Sequence, residues 1–131
     1  MQLTKNFSLE ELIYTSTGIP NRPFNTEIDK LKLLCENVLQ PLRDAMGESI
    51  HVNSGYRNPL VNKTVKGSTS SAHMLGTAAD ITLGSKEKNK KMYNWIKDNC
   101  EFRQLINEYD FSWIHVEHRE GDNKKQLLKI D

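Results

Sequence analysis

The stretch SSAHMLGTAADI, residues 70–81, constrains the fold of this chain more than any other. Gly76 and Thr77 would serve a helix poorly and the surrounding side chains offer a core little bulk, so the segment reads as a turn leading into a short strand. That strand is ADITL. With a period of two, Ala79, Ile81 and Leu83 share one face, while Ala78, Asp80 and Thr82 share the other. A second stretch of the same kind, SWIHVEH, sends Ile114 and Val116 inward and aligns Trp113, His115 and Glu117 on the opposite side. If the two strands are neighbours, Asp80 and His115 converge on a face the core does not claim. His73 then reaches the same place from the turn.

The rest of the chain is largely helical in pattern. Ser8 and Glu11 form a capping box that opens a short helix through about Tyr14, and STGIPNRPFN follows as an irregular loop. From Thr26 the apolar residues Ile28, Leu31, Leu34, Cys35, Val38, Leu39 and Leu42 keep three-and-four spacing. Gly47 supplies the stop, and Pro41 is expected to kink the helix. In SKEKNKKMYNWIKDNC, Ser85 is the cap, Met92, Trp95 and Ile96 form the apolar face, and the lysines make a solvated surface. No repeat or linker divides the chain, so residues 1–131 are read as one domain around one core.

Charge and cysteine usage exclude several functions. With 18 basic and 17 acidic residues the net charge is +1, so no strong field points to nucleic acid or to an anionic membrane. No apolar run approaches the length of a membrane span, and a monomer is expected. Cys35 and Cys100 form no CxxC pair and read as buried free thiols. The opening MQLTKNFSLEEL lacks the regions of a secretory signal, so synthesis in a cytoplasm is expected.

Two imidazoles and one carboxylate are a known way to hold catalytic zinc, because three protein ligands leave the fourth tetrahedral position to water. The same donors suit manganese, cobalt or nickel. Histidines and aspartates at arbitrary spacings are more often structural, so the surrounding motifs decide. Ser71, His73, Gly76, Ala78 and Asp80 spell SxHxxGxAxD, with SGYRNPLVN upstream and WIHV downstream. This three-part signature, over roughly residues 6 to 130, resembles the zinc D-Ala-D-Ala carboxypeptidase and L-Ala-D-Glu endopeptidase family, which shares a metal-site fold with the hedgehog signalling domain. The resemblance is closest to compact single-domain members from phages and bacteria.

That resemblance implies an α+β fold in which a small antiparallel sheet carries the metal site and packs against N-terminal helices. It implies one Zn2+ per chain on His73, Asp80 and His115, and a peptidoglycan stem peptide as substrate. The arginine of SGYR falls on Arg57, which the resemblance casts as a substrate contact that stabilises developing negative charge; a surface salt bridge is the alternative. Asn62 is a candidate substrate contact or support, and Ser71 either orients His73 or touches substrate. Ser54 and Asn53 shape a turn, Gly76 meets a backbone requirement, and Trp113 is a cleft wall or core.

One position departs from the pattern. Many relatives carry an acid three residues before the last metal-binding histidine, and here that residue is Ser112. If QLINE and WIHVE pair as a hairpin closed by residues 109–112, Glu108 lies opposite Trp113 on the face of His115, while Asp110 sits in the turn. Glu108 is therefore the expected general base and Asp110 the alternative. A glutamate in the LIxE stretch of the compact relatives supports this choice. Glu117 and His118 are secondary candidates, His118 on the core-facing parity.

The expected reaction is metal-assisted amide hydrolysis in the cell wall, reached by release or phage delivery, as in an endolysin. D-Ala-D-Ala, L-Ala-D-Glu and crossbridge linkages are all compatible with these residues. Two other readings stand beside it. One is a noncatalytic peptidoglycan-binding or virion module that keeps the metal, which Ser112 favours; the other is a cytoplasmic D-Ala-D-Ala dipeptidase.

Overall fold

The computed structural model describes all residues, 1–131. A two-stranded antiparallel ribbon, β1 (Gln2–Thr4) and β2 (Phe7–Ser8), leads into α1 (Leu9–Ile13). The capping box is present: Ser8 Oγ accepts from the Glu11 N–H, and the Glu11 carboxylate accepts from the Ser8 N–H. These two bonds satisfy donors that the first helical turn would otherwise leave open. The ribbon itself carries no sequence signal strong enough to have been expected.

After the irregular loop, the long helix runs as α2 (Asn25–Leu34), a π-helical stretch (Cys35–Leu39) and α3 (Gln40–Met46). The π stretch is how the chain accommodates Pro41. A proline inside an α-helix lacks the N–H and crowds the carbonyl four residues back. Just before it the backbone widens, with the Gln40 N–H donating to the Cys35 carbonyl five residues away, and the helix continues. Gly47 closes it in the left-handed region at φ 71°.

The second half builds a five-stranded sheet. It contains β3 (His51–Ser54), β4 (Ala78–Thr82), β5 (Gln104–Glu108), β6 (Trp113–Glu117) and β7 (Gln126–Ile130), in the order β3-β4-β6-β5-β7. The first four strands pair antiparallel, whereas β7 lies parallel to β5. The sheet is therefore mixed, with the antiparallel part carrying the candidate site. Between β3 and β4 lie α4 (Pro59–Thr64) and a 3-10 turn (Ala72–Leu75); α5 (Lys86–Asn99) follows β4, capped by Ser85.

Strand parity sorts the sheet into two faces. Val52, Ala79, Ile81, Leu105, Ile114 and Val116 join Leu31, Leu34, Val38, Leu42, Met92 and Ile96 from the helices in one buried cluster. Burying an aliphatic side chain of this size stabilises the fold by about 1.5–3 kcal/mol before entropy is counted. Cys35 and Cys100 belong to this cluster as free thiols. Burial pushes Cys35 up to about 12 and Cys100 to about 11, so both are protonated at neutral pH. No helix is long and apolar enough to cross a membrane.

Candidate active site

The register across β4 and β6 pairs Asp80 directly with His115. Because side chains alternate across a strand, this one pairing puts both on the face turned away from the helices. His73 arrives from the 3-10 turn, whose first N–H groups are capped by Ser71 Oγ accepting from the His73 N–H at 3.2 Å. The turn ends at Gly76, with φ at 77°. A Cβ there would also lie 2.9 Å from the Glu27 carbonyl, so the position needs glycine for both conformation and space.

His73, Asp80 and His115 form a triad positioned for a single metal ion. One potential ligand atom from each lies within 4.8 Å of the others, and all three residues are buried. Asp80 Oδ1 is 2.9 Å from His115 Nδ1 and 3.3 Å from His73 Nε2. On its other nitrogen, His73 Nδ1 lies 2.6 Å from the Gly55 carbonyl. A carbonyl can only accept, so Nδ1 carries the proton and Nε2 presents its lone pair to the site. Gly55 can approach this closely because it has no side chain; a Cβ there would lie 2.2 Å from the Leu12 carbonyl. Burial opposes ionisation of Asp80, but the neighbouring His73 and the hydrogen bond from His115 outweigh it and hold the carboxyl well below the usual range. An anionic carboxylate between two imidazoles is a donor set that fits a divalent cation.

Arg57 is fixed beside the triad rather than spread over the surface. Its Nε donates to Ser54 Oγ at 2.9 Å and its Nη1 to Asn62 Oδ1 at 3.3 Å, while Nη2 stands 3.5 Å from Asp80 Oδ2. Asn62 in turn donates to the Ser68 carbonyl, tying α4 to the loop before His73. Ser54 lies in β3 opposite Asp80, so it steers Arg57 rather than shaping a turn.

Glu108 pairs with Trp113, as the hairpin register requires for it to share the face of His115. Burial raises its carboxyl above the ordinary value and the charge of Asp80 adds to the rise; His115 and the Trp113 indole pull the other way. The indole N–H is buried and turned toward the Glu108 carboxylate, just outside full hydrogen-bond geometry. Trp113 is half-buried, its ring 5.1 Å from that of Tyr109 and tilted to it by 49°. Asp110 is elsewhere: its carboxylate is 77% exposed and pairs with Lys86 at 2.8 Å. Ser112 is spent on the turn, its Oγ donating to the Tyr109 carbonyl.

That turn is unusual in holding Tyr109, Asp110 and Phe111 all at positive φ, between 52° and 57°. Each such residue costs on the order of 1 kcal/mol or more, so the conformation must be imposed from outside. Asn107 Oδ1 accepts from the Phe111 N–H, and the Tyr109 N–H donates to the Ile130 carbonyl on β7. Asn89 completes the clamp. Buried in α5, it donates from Nδ2 to the carbonyls of Phe111 and Ser112 and accepts from the Leu83 N–H.

Residues 5–117 match the model of the peptidase M15 family. The chain belongs to the peptidase M15 family. The match spans β3 through β6 and so includes the triad, Arg57 and Glu108. Over 49 residues the chain is 47% identical to the zinc D-Ala-D-Ala carboxypeptidase of Streptomyces albus G. That segment is 37% of this M15 chain but only 19% of the curated relative.

Two supports of this M15 site, Asn89 and the Gly55 carbonyl, have no reading in the sequence. Asn89 sits among lysines in SKEKNKKMYNW and looked like part of a solvated face; its signal was being the polar residue three and seven positions before the apolar Met92 and Ile96. The Gly55 carbonyl could not have been read at all, since a backbone acceptor has no residue signature. Glu117 was placed on the metal face by parity but not expected to be buried against Arg103 and Arg119, as it is. His118 lies just past the end of β6, buried, with burial holding its imidazole below the ordinary value and Nδ1 without a partner.

Proposed function

We propose that the 131 residues form one zinc-dependent peptidase domain that hydrolyses an amide bond in peptidoglycan stem peptides or crosslinks. The observation that carries this reading is the union, on one sheet face, of a buried His-Asp-His triad with the half-buried carboxylate of Glu108 and the tethered guanidinium of Arg57. A bound zinc ion would supply Lewis-acid polarisation of the scissile carbonyl and activation of water. His73, Asp80 and His115 would hold it, the Gly55 carbonyl fixing the His73 tautomer.

Glu108 is the general base in this reading. Half-buried and paired with Trp113 on the face of His115, its carboxylate suits a group that takes a proton from the attacking water and passes it to the leaving amine. Asp110, turned to Lys86 and solvent, is not placed for that duty, and Ser112 is occupied in the turn. Arg57 stabilises the negative charge that develops on the carbonyl oxygen, with Ser54 and Asn62 holding its plane in place. Trp113 walls the cleft, its indole N–H turned toward the Glu108 carboxylate. Ser71 acts through the turn that carries His73.

Sacculi and defined muropeptides incubated with the zinc-loaded protein test the proposal directly. Mass analysis should show new termini at one type of stem-peptide or crossbridge amide, abolished by chelation. Unchanged masses across all substrates would show that the triad holds metal without hydrolysing this class of bond. The identity of the new termini separates carboxypeptidase from endopeptidase action.

A further inference from the structure

Beyond His115 the polar face continues into a cleft of about 330 Å³. One wall is the loop bearing Ser68, Ser70 and Ser71; the other holds Arg103 and Arg119, and Glu117 lies on its floor. Only Ala72 among its lining residues is apolar. Arg119 lies two residues outside the matched part of the chain.

The guanidiniums are not equivalent. Arg103 is divided between Asp122, through Nη1, and Glu117, 3.7 Å from its Nε. Arg119 donates to Glu117 from Nε alone, and neither of its terminal nitrogens has a partner. Glu117 is 2% exposed and its Oε2 also accepts from Thr77 Oγ1 at 3.0 Å, so it is a fixed anchor for the guanidinium plane. Within the cleft, two guanidiniums therefore face one carboxylate. Asp122 lies outside the lining, exposed to screening by water. A planar fork with both terminal nitrogens free and its plane held from behind matches a carboxylate, which takes two parallel N–H bonds.

We propose that this cleft is a substrate subsite in which Arg119, backed by Glu117 and Arg103, binds a carboxylate of the peptide. The inference rests on the peptidase reading and adds a second anchor to it. Positions 113, 115 and 117 of β6 lie on one face about 7 Å apart. They carry in turn the Glu108 partner, a metal-triad histidine and the arginine anchor. A peptide lying along the strand thus meets the base on one side of the triad and the carboxylate subsite on the other. Arg57, on the β3 side, is free for the reacting carbonyl.

NMR titration of the zinc-loaded protein tests the subsite without requiring turnover. The probes are N-acetyl-D-alanine, its amide, and N-acetyl-D-isoglutamine, whose carboxylate is on the side chain. The acid that fits should shift the amides of Ser68, Ser70 and Ser71 and bind about tenfold more tightly than the amide, as expected for a charge-assisted pair. Comparison of the two acids distinguishes a terminal from a side-chain carboxylate. Arg119→Gln should remove that advantage. Arg119→Lys keeps the charge opposite Glu117, and hence the fold, but loses the fork, so it should lose most of the advantage as well. Equal binding of acids and amide, no shift in the serine loop, or an advantage that survives both substitutions would overturn the assignment. Digestion of sacculi by the same preparation reports separately on hydrolysis, so carboxylate selectivity without digestion refutes only the peptidase reading, and digestion without selectivity refutes only the subsite.

Discussion

The two faces of the β4–β6 pair are made from alternate residues of the same short strands, yet they are held in place by different means. On one side Ala79, Ile81, Ile114 and Val116 are fully buried by packing against helices. On the other, Asp80 and His115 are nearly as buried but are positioned by hydrogen bonds and charge, from His73, Arg57 and each other. Packing is non-directional and tolerates a change of shape if volume is kept; a set of polar contacts fixes angles and fails when one member is removed. Substitution on the first face should therefore cost stability, and on the second chemistry.

The largest effect should come from His73→Ala. It removes a triad donor, so zinc content measured by elemental analysis should fall from one per chain to near zero and hydrolysis should disappear. Full zinc occupancy in a folded variant would remove His73 from the metal site. Glu108→Gln should leave zinc bound and slow turnover by roughly two to four orders of magnitude, the usual contribution of a general base.

The same substitution has a pH signature in metal-free protein. The folded-state pKa of Glu108 is raised, so the native state holds its proton more readily than the unfolded one. The cost of ionising it is absent well below pH 4.5, the ordinary value, and is present once the pH exceeds the raised value. Melting curves should show metal-free Glu108→Gln gaining stability relative to wild type between pH 4 and pH 7; a constant difference would place the carboxylate in solvent.

Ile81→Ala tests the packed face. It should reduce the unfolding free energy by about 2–5 kcal/mol in denaturant titrations. Folded molecules of this variant should still bind zinc, whereas loss of metal at retained fold would show that the two faces are not separable. The smallest effect is expected from Asp110→Asn, within about 0.5 kcal/mol in stability, with turnover within a few fold of wild type. A loss comparable to that of Glu108→Gln would transfer the role of base to the turn.

The division between faces also explains what could be read beforehand. ADITL and SWIHVEH alternate strictly, so parity alone put Asp80 and His115 together, and the equal lengths of QLINE and WIHVE set Glu108 opposite Trp113. Caps at Ser8, Ser85 and Gly47 are local and were legible for the same reason. What escaped depends on partners distant in sequence. All five residues of β7 are exposed and alternate no clear face, so its parallel pairing with β5 left no pattern. The tether of Arg57 to Ser54 and the anchoring of Arg119 on Glu117 need side-chain directions that a spacing cannot supply.

The position of β6 as the third of five strands bears on how the molecule comes apart. Isotope exchange at backbone amides follows the local opening of structure, and an outer strand opens long before a central one. Deuterium should therefore enter β7 early, while the amides around His115 wait for the whole sheet to separate. A histidine on that strand keeps its address through every partial fluctuation of the edges. Binding a metal there would slow the last step of disassembly and leave the first steps untouched.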